Sequence, residues 1–490
     1  MKKIKLDIKK YIWVIVAALT FAGALYANNK VLIISFEQLL FGVIKIKGGG
    51  ATTVSYGVIY IAIAFVIVCS ILLIPVIDFG KKLVVYIKNK TIQLYPIKNV
   101  KIYGIVLLVI AIMELLHAFQ FFPYVKNTIF SSTELFDDYY VESSGVKITF
   151  PEKKRNLIYI FVESLESTNV SVQNGGLFET SVVPNLEKMA LDNVNFSHTE
   201  TIGGAYQAYG TNWTSGALLA HTSGVPLKVT IDDFDVNSIK FSNVTSIGDI
   251  LSLNGYNSYL LLGSDANFGG RKSYFANHNY LIKDYNTAIE DGIIDEGYYE
   301  WWGYEDSKLF DYAKIMLEDI SNDDKPFNFT MLTADTHFTD GYLDKSCKNV
   351  FDDPYANSFY CSDSMIYNFI EWVKEQDFYD NTTIVIVGDH LTMQDGFYNY
   401  DEDSYDRTIY NVFINYNVNS EFNSKNRVFT SMDLFPTTLA SLGTDIEGDR
   451  LGLGTNLFSK KQTIPEIIGI KEFNVELSKG SSKYYNKIRK

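Results

Sequence analysis

Asn156-Leu157-Ile158-Tyr159-Ile160-Phe161-Val162-Glu163-Ser164-Leu165-Glu166-Ser167-Thr168 is the stretch on which the reading of this chain turns. Six apolar residues, Leu157 to Val162, end on a carboxylate. The run is rich in β-branched and aromatic side chains, too short to cross a membrane, and bounded by Lys153-Lys154-Arg155 before it. That predicts a fully buried strand of a parallel sheet. Open α/β sheets bind ligands just past the carboxyl ends of their strands. Glu163 therefore stands where a ligand or catalytic group belongs, with a helix N-cap as the plainer alternative.

Working outward from this strand, four more runs read as strands: 257–263, 326–333, 382–388 and 409–415. Helical patterns at 184–192, 245–254, 304–320 and 362–375 alternate with them. Alternating β and α elements with buried strands predict a doubly wound α/β domain over 156–470. Residues 471–490 are basic, low in apolar content and expected to be peripheral. Residues 124–155 read as a linker.

Residues 1–123 differ in kind. Stretches 11–27, 56–77 and 102–122 are apolar and of spanning length. The segment 31–47 carries Glu37 and Gln38 and reads as re-entrant or interfacial. The net charge of −14 hides an asymmetry: residues 1–101 hold fourteen Lys against three acids, +11, which leaves −25 for the rest. So acidic a soluble part excludes a nucleic-acid binder. The basic N-terminus and the basic 79–101 loop both belong on the cytoplasmic side. Three spans then place the α/β domain outside the membrane, and the protein is expected to be a multi-pass protein of the cell membrane.

The other predicted strand ends also carry polar residues. Strand 382–388 runs into Asp389-His390, an adjacent pair suited to a divalent cation, or to a structural Asp–His hydrogen bond. Gly210-Thr211-Asn212-Trp213-Thr214-Ser215-Gly216 leads a polar loop into a small-residue helix start, where a hydroxyl meets backbone N–H groups and could stabilise a phosphate. Ser and Thr are also preferred N-caps, so that alternative stays open. Thr333-Ala334-Asp335-Thr336-His337 brings a histidine to a third strand end, and Gly263-Ser264-Asp265-Ala266-Asn267-Phe268-Gly269-Gly270-Arg271 is a glycine-rich loop whose Arg271 could fork onto a phosphate. Cys347 and Cys361 could be a free pair or a disulfide; an extracytoplasmic location favours the disulfide.

In this order the motifs resemble the membrane-anchored phosphoglycerol transferases, the family of lipoteichoic acid synthase within the alkaline phosphatase and sulfatase superfamily. The matching stretches are 154–164, 210–214, 263–268, Thr336-His337, Gly388-Asp389-His390 and 448–455, with Phe36-Glu37-Gln38 in the membrane part. The glucan-decorating branch looks closer than the lipoteichoic branch. The resemblance implies a sulfatase-like catalytic domain and one divalent cation, manganese before magnesium or zinc, held by Glu163, Thr214, Asp389 and His390. It implies Thr214 as nucleophile, and Asp265, Asn267, Arg271 and His337 near phosphate and glycerol. It also supports a Cys347–Cys361 disulfide.

The implied reaction is attack of Thr214 on phosphatidylglycerol, departure of diacylglycerol protonated by His337, and transfer of glycerol phosphate to an envelope glycan or polymer. Within the enzymes, a phosphoethanolamine transferase or a sulfatase is the alternative. Sulfatases convert a Cys or Ser to formylglycine, and Thr214 argues against that. A catalytically silent envelope-binding homologue is the non-enzymatic alternative; its signature would be a lost ligand, and all four are present.

Overall fold

The structure is a computed structural model of the 490-residue chain. It describes residues 8–28, 36, 40, 54–80, 82–87, 90–230, 241–394, 396–401 and 404–489. The chain divides into two compact units: residues 1–39 with 50–126, and residues 40–49 with 127–490.

Apolar runs become helices in the first unit: Ile8–Asn28, Val54–Leu73 and Val100–Ala118. Two segments, Lys9–Asn28 and Val100–Ala118, are long and apolar enough to cross a membrane. The run predicted at 56–77 is helical over Val54–Leu73 and ends in a 3-10 turn through Pro75. Its apolar part among the described residues, Tyr60–Val76, falls short of the other two. The basic 79–101 segment contains an antiparallel hairpin, Leu83–Ile87 with Lys90–Tyr95. The re-entrant segment expected at 31–47 lies outside the described residues except for Phe36 and Leu40.

The second unit is built on a seven-stranded sheet. Its strands are β1 Asn156–Val162, β2 Gly204–Ala205, β3 Asn257–Leu262, β4 Tyr280–Lys283, β5 Phe327–Leu332, β6 Thr382–Gly388 and β7 Ile409–Ile414. They lie in the order β2-β7-β6-β1-β5-β3-β4. The five strands from β6 to β4 run parallel. β7 and β2 add an antiparallel margin, so the sheet is mixed. All seven residues of the central strand β1 are buried. Leu157, Tyr159 and Phe161 face one apolar core, and Ile158, Ile160 and Val162 face the other. Helices on both faces explain why this strand reads as a continuous apolar run.

The predicted helices 184–192, 245–254 and 304–320 appear as Pro184–Asp192, Ile247–Leu253 and Asp306–Ile320. The helix expected at 362–375 starts earlier, at Pro354, because Asp353 caps it by accepting the N–H groups of Tyr355 and Ala356. The segments outside the predicted domain are not loose. Phe136 is fully buried, with its ring 5.1 Å from that of Tyr484. The tail 471–490, expected to be peripheral, buries Phe473, Leu477, Tyr484 and Ile488. Its few apolar residues sit at helical spacing, so one face suffices to anchor it.

Candidate active site and metal centre

Strand register brings the site together. Val162 pairs with Gly388, and Phe161 with Leu332, so Glu163, Asp389 and Thr333 emerge side by side at the carboxyl ends of β1, β6 and β5. Gly388 allows this close approach: a Cβ there would lie 1.8 Å from the Leu165 carbonyl oxygen. Thr333 Oγ1 accepts the Glu163 N–H at 3.2 Å. Ser164, at φ +57°, donates its N–H to Asp389 Oδ1 at 2.8 Å and its hydroxyl to Glu163 Oε1 at 2.9 Å. One serine thus locks the two carboxylates relative to each other.

Thr214 is the first residue of the helix Thr214–Ser223, and Trp213 occupies the N-cap without a side-chain capping bond. The Thr214 hydroxyl therefore does not cap this helix. Its Oγ1 lies 3.3 Å from Glu163 Oε2 and 3.5 Å from His390 Nε2. The first turn of the helix also directs free N–H groups toward this end, as an anion site requires.

The donor set fits a cation. Ligand atoms of Glu163, Asp389 and His390 lie within 4.8 Å of one another, and all three residues are buried. His390 Nε2 stands 3.3 Å from Glu163 Oε1 and 3.4 Å from Asp389 Oδ2. Its Nδ1 lies 2.9 Å from the Leu391 carbonyl oxygen, which assigns the proton to Nδ1 and leaves the Nε2 lone pair for the cluster. Asp389 Oδ2 is buried with no hydrogen-bond partner. Such an orphan is costly unless a positive ion or a proton meets it. Burial and the charge on Glu163 push the Asp389 carboxyl well above the usual carboxylate range. Burial works against a charged His390, but Asp389 and Glu163 outweigh it and raise its pKa. Protons thus gather where two buried carboxylates stand together. A divalent cation on Glu163, Asp389 and neutral His390 would balance the charge without them.

The remaining predicted residues separate into two sets. His337 follows β5 on a loop tied to β1, because Thr336 Oγ1 donates to the Glu163 carbonyl oxygen. His337 Nδ1 lies 2.6 Å from the Phe338 carbonyl oxygen, and its ring lies 4.5 Å from that of Trp302. Burial lowers its pKa more than the field of Glu163 raises it. A proton held on Nδ1 by the Phe338 carbonyl oxygen leaves Nε2 as the atom that exchanges protons with a reacting group, as a base or as the leaving-group acid that the resemblance implies. Arg271 is buried and bonded to the carbonyl oxygens of Phe268 and Asp265 and to Ser264 Oγ. It lines one pocket with Ser215, next to Thr214. Asp265 and Asn267 are exposed and turn toward each other: Asp265 Oδ1 accepts both the N–H and the Nδ2 of Asn267. Cys347 and Cys361 are disulfide-bonded.

Three contributors escaped the sequence reading. Trp302 packs on His337, and nothing in Trp301-Trp302 announces which ring does so. Ser164 was visible only as the residue after Glu163. Glu166 stands at the N-cap of the 3-10 turn Ser167–Asn169, and its side chain is fully buried in an ion pair with Arg407. A lone Arg in the acidic stretch before β7 was its only signal.

The mixed sheet, the helices on both its faces and the carboxylate–imidazole cluster at the strand ends define a sulfatase-like fold, and the chain belongs to the Sulfatase family, which it matches over residues 155–444. Among curated proteins, Phosphoglycerol transferase I of Escherichia coli O127:H6 is 30% identical over 349 residues, 69% of this chain and 43% of that protein. The chain thus spans under half the length of the curated relatives it matches. The lipoteichoic acid synthase LtaP from Listeria monocytogenes superposes with a TM-score of 0.51 at 17% identity, covering 66% of this chain and 81% of LtaP. The integral membrane lipooligosaccharide phosphoethanolamine transferase EptA from Neisseria meningitidis superposes with a TM-score of 0.52 at 13% identity, covering 98% of this chain and 88% of EptA. At these identities the two structures speak for the fold. Among the described residues, two helices are long and apolar enough to cross a membrane.

Proposed function

We propose that this chain transfers glycerol phosphate from phosphatidylglycerol to a hydroxyl of a cell-envelope glycan or polymer, through a covalent glycerophospho-Thr214. The observation that carries the reading is the Thr214 hydroxyl, placed at a helix N-terminus and 3.3 Å from Glu163 in a buried carboxylate–imidazole cluster. The 30% identity to a phosphoglycerol transferase supports glycerol phosphate as the head group.

A divalent cation on Glu163, Asp389 and His390, manganese by resemblance with magnesium or zinc as alternatives, would lower the pKa of the Thr214 hydroxyl and draw charge from the phosphoryl oxygens. Thr214 Oγ attacks phosphorus, the bond to the diacylglycerol oxygen breaks, and the proton lost by Thr214 leaves on diacylglycerol. The acceptor hydroxyl then attacks the same phosphorus. The bond to Thr214 breaks, and the threonine regains a proton. The N–H groups of the first helical turn stabilise phosphoryl charge throughout. Arg271, held rigid by its loop, sets the electrostatics on the Ser215 side. Neutral His337 accepts the proton of the acceptor hydroxyl.

The basic N-terminus and the basic 79–101 segment favour one side of the membrane for both, which makes Val54–Leu73, with its following 3-10 turn, the middle one of three proposed crossings. The α/β domain then works on the outer face, where a lipid donor is within reach of an anchored enzyme.

The test is the purified full chain with manganese in vesicles of phosphatidylglycerol or of phosphatidylethanolamine, reading diacylglycerol release. Release from phosphatidylglycerol alone, abolished by Thr214→Ala, is expected. Preferential release from phosphatidylethanolamine, or an undiminished rate in the variant, contradicts the reading.

A further inference from the structure

β1 ends in two glutamates three residues apart, and only the first faces the cation cluster. Glu166 is fully buried and part of a dense polar junction. Its Oε2 accepts Arg407 Nε at 2.9 Å and Thr168 Oγ1 at 3.0 Å. Its Oε1 accepts the Thr392 N–H at 2.8 Å and also pairs with Arg407 Nη2. Arg407 Nη2 donates to the Thr392 carbonyl oxygen at 3.1 Å. Its guanidinium stacks on Tyr398, 4.8 Å from the ring centroid. Both backbone groups of Thr392 are therefore gripped by one ion pair, the N–H by the carboxylate and the C=O by the guanidinium.

Thr392 lies two residues beyond His390. Its Oγ1 is 2.8 Å from Tyr355 Oη, which in turn donates to the Thr336 carbonyl oxygen at 2.8 Å. Thr336 is bonded to the Glu163 backbone. The ion pair thus fixes the main chain that leaves His390 and joins it to the loops of Glu163 and His337. Two bonds of the pair thus go to the successive peptide groups on either side of Thr392, just past His390. Buried ion pairs are also weak stabilisers against apolar replacements.

We propose that the Glu166–Arg407 pair is a positioning device for the cation site: it holds the 391–394 segment so that His390 Nε2 stays aimed at Glu163 and Asp389. The inference rests on the metal reading of the cluster. Groups that orient a ligand from behind commonly change metal affinity by about 10–100-fold.

The experiment titrates the full chain with Mn2+ and follows thermal unfolding in parallel. The variants are Glu166→Gln, which keeps the shape, and Arg407→Lys, which keeps the charge but loses the fork. The control is Arg427→Lys, which breaks a second half-hidden pair in the same unit, where Arg427 Nε lies 2.7 Å from Glu466 Oε1. Both Glu166→Gln and Arg407→Lys should weaken Mn2+ binding about tenfold or more, with activity recovered at high Mn2+. Arg427→Lys should lower thermal stability and leave the Mn2+ affinity as in the wild type. Unchanged Mn2+ affinity in both test variants, or an equal loss in the control, overturns the positioning role. A wild-type chain that binds no divalent cation overturns the metal reading itself, which separates the two failures.

Discussion

Thr214 Oγ1 and Glu163 Oε2 lie 3.3 Å apart across the carboxyl end of the sheet, although 51 residues separate them in the chain. This contact joins the start of a helix to the end of the central strand. It turns a residue type that usually caps helices into one whose hydroxyl faces a cation cluster. Glu163→Gln and Asp389→Asn should each abolish Mn2+ binding and transfer together, because each removes charge from a set of two carboxylates and one imidazole. Titration of metal into the variants checks this, and wild-type affinity in either one contradicts the assignment.

The pH dependence of that affinity follows from the raised pKa values of Asp389 and His390. Both groups hold protons in the metal-free site that a cation must displace, so binding releases protons. Affinity should rise with pH across the range where these groups titrate. A series of Mn2+ titrations from acid to mildly alkaline pH tests the sign, and a flat profile contradicts it.

His337 carries a different signature. Its pKa is lowered by burial, so the neutral, proton-accepting form persists below the pH at which a free imidazole would protonate, about 6.5. At saturating metal, the acid limb of kcat/KM assigned to His337 should fall below that value. His337→Asn should reduce kcat by about 10²–10⁴-fold, the usual contribution of a positioned base, with Mn2+ affinity retained. Loss of metal with this variant would make His337 a ligand instead.

The loop carrying Arg271 offers a steric test. Gly269 has φ +76°, and a Cβ there would lie 2.2 Å from Ser215 Oγ, beside the nucleophile. Gly269→Ala strains the backbone at this φ and must turn the Ser215 hydroxyl away or shift the loop, and a displacement of about 1 Å near a reacting group can cost about 10²-fold in rate. A wild-type kcat in this variant would show that the loop has slack.

The Cys347–Cys361 bond closes a loop of 14 residues between the His337 segment and the helix Pro354–Lys374. Replacing both cysteines with serine should lower unfolding free energy by about 2–4 kcal/mol in denaturant titrations. A change below about 0.5 kcal/mol, within the usual scatter of surface substitutions, would remove the disulfide from the account of stability.

How much of this was legible in the sequence depends on how each element hides its residues. β1, β3, β5, β6 and β7 are buried on both faces or nearly so and therefore write themselves as apolar runs. β2, with two residues, and the short β4 carry too little pattern to stand out. Asp389 and His390 were visible because a strand delivers them; Thr214 was ambiguous because sequence cannot tell a capping hydroxyl from one at the first helical position. The ion pair of Glu166 left no signal because its partner Arg407 is 241 residues away, and only the tertiary fold brings them together. The antiparallel margin of the sheet, set by long-range pairing of β7 with β6, left no local trace.

The most direct test of the central claim is the intact mass of the full chain after incubation with phosphatidylglycerol and Mn2+ and no acceptor. The mechanism predicts a glycerophosphate adduct that peptide mapping places on Thr214 and that is absent from Thr214→Ala. A chain that binds the metal, consumes the lipid and carries no adduct, or carries it on another residue, would contradict the proposal.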